Sequence, residues 1–255
     1  MTATISATPE VRASFAHQMR SEWIKLSSLR STWWVGAIAV AMMLLFAVTS
    51  SASTDSSKLL AGLTFGFVIL GILGVTTATG EWSGNLIIAT LAATPNRTRW
   101  LLAKAATVAV FVFVVELVAV LLSAAALLAM SSMSGGTSTL LTVPALRLVI
   151  GAAVAMACAG VLGVAIGVAV RHTGAAVTIV LALLIAPLIG PLFGNEALAR
   201  VASYLPTSAW NAILGAHSAG LDFFPLPEPV GLVLTVAWLV LPMLGAWALL
   251  RRRDA

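Results

Sequence analysis

Residues 80–104 read GEWSGNLIIATLAATPNRTRWLLAK, and the reading of this polar interruption decides the fold. Glu81, Trp82, Asn85, Asn96, Arg97, Arg99 and Lys104 crowd into it around a break at Pro95, with long apolar stretches on both sides. Basic side chains this close to two apolar stretches predict a cytoplasmic loop between two membrane spans. Two readings of the loop stand side by side. In one, Glu81, Arg97 and Arg99 only frame a hairpin whose basic side chains reach up to the headgroups. In the other, residues 85–93 form a short helix parallel to the membrane, offering Leu86, Ile87 and Leu91 to a groove in a soluble subunit. Length favours the second, because a plain turn needs no more than the stretch from Arg171 to Gly174.

Composition sets the class. Of 255 residues 60% are hydrophobic and 9% charged, where soluble domains carry about 25% charged residues. The net charge of +5 does not indicate nucleic acid. The basic residues lie at the ends of apolar runs, where anionic headgroups and retention in the cytoplasm account for them, so the expected contact is a phospholipid membrane. Cys158 stands alone inside an apolar run, and His17, His172 and His217 are scattered, so neither a disulfide framework nor a metal site is expected. The first 30 residues include Pro9, Glu10, Arg12 and Arg20 and lack the short apolar core of a signal peptide. Insertion is therefore expected to come from the spans.

Taken in order, residues 1–13 are Thr/Ala/Ser-rich and expected to be disordered, and residues 14–255 form one membrane domain. A helix is predicted over residues 14–32. At about 100° per residue, Phe15, Met19, Trp23, Leu26 and Leu29 share one arc, the pattern of a helix lying in the membrane interface. Glu22 projects into that arc with Lys25 at its edge. A lone buried carboxylate is costly, so Glu22 is expected to meet Lys25 one turn on or a basic group elsewhere; a solvated interfacial charge is the alternative. Trp33 and Trp34 read as an interfacial belt.

Six spans follow, at about 33–49, 59–79, 100–130, 144–170, 175–193 and 230–250. The third exceeds the ~20 residues a bilayer requires and is expected to tilt or to begin outside it. Gly62-x-x-x-Gly66 and Gly71-x-x-Gly74 predict close helix packing within one bundle. Residues 194–229 are too apolar for a free loop and too broken for a span, which predicts short re-entrant or interfacial helices outside the membrane. With both termini inside, the outer side keeps only Lys58, Arg147 and Arg200 of the 14 basic residues. That bias sets the orientation.

Catalytic signatures are sparse. The lysines are Lys25, Lys58 and Lys104, none follows a glycine-rich turn, and no phosphate-binding loop is present. There is no Gly-x-Ser-x-Gly elbow and no His-Glu-x-x-His motif. Glu116 is the one ionisable residue deep in a span, about 18 Å along a helix from Lys104. Such acids are functional candidates. Glu116 reads either as a contact in a translocation path or proton-linked site, or as a neutral or hydrogen-bonded group that locks helices together.

The stretch Arg20-Ser-Glu-Trp-Ile-Lys-Leu, continued by Arg30-Ser-Thr-Trp-Trp34, resembles the entry segment of actinobacterial ABC transporter permeases of the type-2 exporter family. Gly80-Glu81, Ala89-Thr90-Leu91, Pro95, Arg97 and Ala103-Lys104 resemble that family's intracellular loop between the second and third helices, and Tyr204-Leu205-Pro206 resembles its motif before the last span. The order of interfacial helix, six spans and broken external segment is similar over nearly the whole chain. The resemblance implies a permease subunit in the cell membrane, both termini cytoplasmic, paired with a second copy or a paralogue. It implies further that residues 81–99 are a coupling helix docking on a separate ATPase, which holds the ATP and magnesium while this chain binds no cofactor.

Overall fold

The computed structural model describes residues 14–50, 58, 62–84, 86–93, 96–133, 143–189, 194–214 and 226–252. Among these the protein is all helix, with no strand. The helices are α1 (Phe15–Ser28), α2 (Arg30–Thr49), α3 (Leu63–Ser83), α4 (Leu86–Ala93), α5 (Arg97–Met133), α6 (Val143–Val170), α7 (Thr173–Ile189), α8 (Glu196–Ser203), α9 (Pro206–Leu214) and α10 (Glu228–Arg252). By length and composition, α2, α3, α5, α10 and residues Leu146–Val170 of α6 can each cross a membrane. The expected fifth span is the shorter apolar helix α7, of 17 residues with Pro187 inside it. The sequence expectations for residues 1–13, for Asn85, for Pro95 and for residues 190–193 lie outside the described residues.

Three boundaries differ from the sequence reading. The helix drawn over residues 14–32 ends at Ser28, because Leu29 is extended (φ −82°, ψ 118°) and lets α2 start afresh at Arg30. The second span was expected to stop at residue 79, but α3 continues through Gly80, Glu81 and Trp82 to Ser83. The polar interruption is therefore mostly helix: Glu81 belongs to the end of α3 and Lys104 lies two turns inside α5. Helix continues there because the Glu81 carboxylate finds cations within the fold. The helix at the expected third span, α5, is longer than drawn, at 37 residues. That is about 55 Å of helix against about 30 Å of hydrocarbon.

α6 is the mostly buried centre, flanked by α3 and α5. Its packing against α3 brings backbone to backbone. A Cβ placed on Gly74 would collide with the carbonyl oxygen of Gly160, and one on Gly163 with that of Gly71. Glycine is required at such a crossing because no side chain fits between the two backbones. The glycine pairs read from the sequence thus pack inside one chain. α2 and α10 are peripheral and leave Trp34, Ile38, Leu45, Val233, Val236 and Leu241 exposed. Apolar rows of this length call for lipid or another apolar surface, not water.

Contacts between helix ends define two ends of the bundle. At one, Thr173 at the start of α7 bonds Thr79 near the end of α3 (2.8 Å), and Arg171 lies over the Trp82 ring at 5.7 Å. Arg97 at the start of α5 donates to the Leu250 carbonyl near the end of α10 (2.5 Å). At the other end, Trp210 of α9 packs on Phe67 of α3, ring centroids 4.8 Å apart, and Thr207 donates to the Leu184 carbonyl of α7 (2.9 Å). Among its described residues, the broken segment before the last helix thus contains two short helices, of which α9 is deeply packed.

Candidate functional site

α1 turns a mixed face to the bundle. Gln18, Glu22 and Leu26, spaced one helical turn apart, are buried, whereas Phe15, Trp23 and Leu29 are exposed. Leu26 was expected on one apolar arc with these three, but it is buried with Gln18 and Glu22 while they are exposed. Trp23 and Trp33 both meet Phe111 of α5 edge-on, at 6.4 and 5.9 Å. Thr107 of α5 reaches the Met19 carbonyl at 3.5 Å. The Trp33 indole also donates to the Ser27 carbonyl (2.9 Å), which fixes the angle between α1 and α2.

Glu22 is the centre of this contact. The expected pairing with Lys25 is present at 2.7 Å, and a second cation, Lys104 of α5, approaches its other oxygen at 2.5 Å. Lys104 also bonds Glu81 at the end of α3 (2.8 Å), and Lys25 closes the ring to the same Glu81 oxygen (3.1 Å). Two carboxylates and two ammonium groups therefore form a closed cluster without net charge. It ties α1, α3 and α5 together across 82 residues of sequence. Glu22, Glu81 and Lys104 are buried, while the Lys25 side chain is 46% exposed.

Burial works to raise the Glu22 carboxyl. The Lys104 charge and hydrogen bond, joined by Lys25, more than reverse this, so Glu22 lies below its ordinary value. Burial works to lower Lys25, and the hydrogen bonds and charges of Glu22 and Glu81 carry it above its ordinary value instead. Both shifts stabilise the charged forms, which is what a buried pair requires. Lys104 also lies over the Trp100 ring at 5.3 Å, and Trp100 meets Trp82 edge-on.

Two clefts border the cluster. One of 390 Å³ is lined by Glu22, Lys25, Leu29, Thr77, Glu81 and Leu86; the other, of 420 Å³, by Gln18, Glu22, Glu81, Leu86, Thr90 and Trp100. α4 roofs them and contributes Leu86 to both. Ile87, expected to face a soluble partner, is buried inside the chain at 4% exposure; it anchors α4 on the bundle. The outward residues are Leu86 and Ile88, at 60 and 61% exposure. Leu91 lies in α4, but its side chain is outside the described residues.

Arg97 and Arg99 were expected together, framing the loop just past Pro95. The structure separates them. Arg99 is exposed beside the Asn96 side chain that caps its own N–H (3.1 Å). Arg97 is half-buried and caps the carboxyl end of α10. Sequence reasoning singled out Glu22, Lys25 and Glu81 but placed Lys104 only at the end of the loop. The available signal was that two acids on apolar faces needed more positive charge than Lys25 alone supplies.

Glu116 is fully buried in the middle of α5, near Gly66 of α3 and Met156 of α6. Neither carboxyl oxygen has a hydrogen-bond partner among the described residues, so a helix-locking hydrogen bond, one of the readings open for Glu116, is not made there. The carboxyl borders neither cleft at the ion cluster. Among the described residues no group of three His, Cys, Asp or Glu side chains could hold a metal ion. No protein-family model matches the chain, and no curated protein matches it.

Proposed function

We propose that the chain is the membrane-spanning permease subunit of an ATP-driven exporter of the type-2 family, coupled through α4 to a separate ATPase. In this reading six helices span the cell membrane: α2, α3, α5, α6, α7 and α10. Both termini are cytoplasmic, and the chain pairs with a second copy or a paralogue to enclose the path. α7 is about 25 Å long, and local thinning of the bilayer accommodates the shortfall. The partner binds ATP and magnesium and performs the hydrolysis; this chain supplies the path.

The observation that carries the reading is the mounting of α4. It lies at the end of the bundle that gathers Arg97, Lys104 and Arg171, it is pinned by Ile87, and it presents Leu86 and Ile88 outward. Beneath it the cluster of Glu22, Lys25, Glu81 and Lys104 joins α1, α3 and α5. A push on α4 therefore reaches three helices at once, which is what a docking element must achieve. A hairpin serving only as a turn needs neither the outward apolar pair nor the ion cluster. The proton-coupled alternative built on Glu116 has less support, because the carboxyl borders neither cleft beneath α4.

The test is co-reconstitution with an ATPase that co-purifies with this chain. Ile88→Asp should abolish the permease-dependent part of ATP hydrolysis while melting in detergent stays unchanged, since Ile88 is exposed and lines neither cleft beside the ion cluster. Full stimulation by that variant would remove α4 as the docking element.

A further inference from the structure

Outside this site, the proposed function leaves unused a groove of 630 Å³ between α5 and α10. Its walls are apolar: Leu102, Ala106 and Ala109 on α5 face Val240 and Leu244 on α10, and Val161 of α6 forms the floor. One end alone is polar. There Thr98, Trp247 and Arg251 line it, and their arrangement is built. The Trp247 indole donates to the Thr98 hydroxyl at 2.9 Å, and the Arg251 guanidinium lies over the Trp247 ring at 4.3 Å. Arg251 is exposed, and among the described residues no carboxylate pairs with it. The amino end of α5 and the carboxyl end of α10 meet at the same place, where Arg97 in the first turn of α5 reaches the Leu250 carbonyl; the two dipole ends offset each other, and the positive charge there comes from the arginines.

The geometry points to a binding site for one anionic phospholipid, its phosphate held at Arg251 and Thr98 and an acyl chain lying along the α5–α10 groove. Charge and shape together select this occupant. A zwitterionic lipid would fill the apolar part but bring its own cation to Arg251. A soluble phosphate would use the arginine and leave the groove uncovered. The groove has the volume of a small-molecule site, and a basic group at the mouth of an apolar cleft between helices is suited to an anionic headgroup. The site needs the membrane reading of the fold but not the ATPase: an unsuccessful docking test at α4 would leave it standing, and the reverse holds too.

The test is native mass spectrometry of the full-length chain, delipidated in detergent and titrated with phosphatidylglycerol or phosphatidylcholine of identical acyl chains. The unaltered chain should retain one phosphatidylglycerol in clear preference to phosphatidylcholine. Arg251→Gln should lower that preference about fivefold, the effect of one basic group near an anionic surface. Arg251→Lys should restore most of it. Leu244→Trp, which fills the groove from an exposed position, should reduce retention of both lipids, and Arg30→Gln, an exposed arginine outside the groove, should change nothing. Melting in phosphatidylcholine identifies any variant that has lost its fold. The proposal is overturned by equal loss in Arg30→Gln and Arg251→Gln, which would mean diffuse attraction. It is overturned too if inorganic phosphate displaces the bound lipid headgroup, or if Leu244→Cys crosslinks efficiently to a second copy of the chain.

Discussion

Replacing Lys104 by methionine is the sharpest perturbation of the ion cluster. The side chain keeps its length and loses the ammonium that approaches Glu22 at 2.5 Å and Glu81 at 2.8 Å. Two buried carboxylates would then share Lys25, whose side chain is 46% exposed and whose attraction is screened accordingly. Removing one member of a buried ion pair costs about 3–5 kcal/mol because the other charge stays behind, whereas losing an exposed partner costs about 0–1 kcal/mol. Lys104→Met should therefore lower the melting temperature in detergent at pH 7 by roughly 6–20 °C, and Lys25→Met by only a few degrees. Adding Glu22→Gln to Lys104→Met leaves Lys25 facing Glu81 alone, one charge against one, and should recover much of the loss. A cycle built from the two single variants and the pair gives the coupling directly. Equal melting of Lys104→Met and Lys25→Met, or no recovery in the double variant, would refute burial as the source of the cluster's importance.

The remaining expectations concern pH, the helix crossing, Glu116 and the two arginines. The Glu22 value is depressed below 4.5, so its share of stability is present above that pH and is lost as pH falls through the folded value; Lys25 is raised above 10.5, so its smaller share is present below that pH and is lost as pH rises through its folded value. Melting followed from pH 3 upward should show the acid limb, and Glu22→Gln should flatten it. Gly163→Ala should lower melting by about 1–3 kcal/mol, because its new methyl meets a backbone carbonyl that cannot move aside; Gly245→Ala, with open space around it, should lower nothing. Glu116→Met removes two oxygens without partners among the described residues and should raise melting by about 1–3 kcal/mol; a fall would show that something binds the carboxyl. Arg97→Glu should destabilise the chain by placing a negative charge at the carboxyl end of α10, while Arg99→Glu should leave melting unchanged.

The sequence was most legible where the bilayer imposes a rule. Apolar length and the spacing of basic residues placed the long helices within a few residues, and the glycine pairs marked a close crossing because few other uses put small residues one turn apart. The ends of helices were not legible. Nothing local says that Glu81 continues α3 or that Leu29 breaks α1 from α2. The first depends on cations contributed by α1 and α5, and the second on where α1 must lie to bring Glu22 to Lys104. Ile87 and Leu86 are equally apolar, and only the packed structure distinguishes the one that anchors α4 from the one that faces outward. Arg97 and Arg99 look alike in sequence for the same reason: the partner that separates them is a carbonyl 153 residues away.

The central claim is that α4 carries an ATPase, and the most direct measurement is affinity purification of the chain from its native membrane in mild detergent, with every co-purifying protein identified by mass. The account predicts a soluble ATPase bearing a phosphate-binding loop, recovered near one per chain with the unaltered protein and lost with Ile88→Asp while the altered chain is recovered intact. Recovery of that ATPase at the same ratio with the altered α4, or purification of the intact chain without any such ATPase, would contradict it.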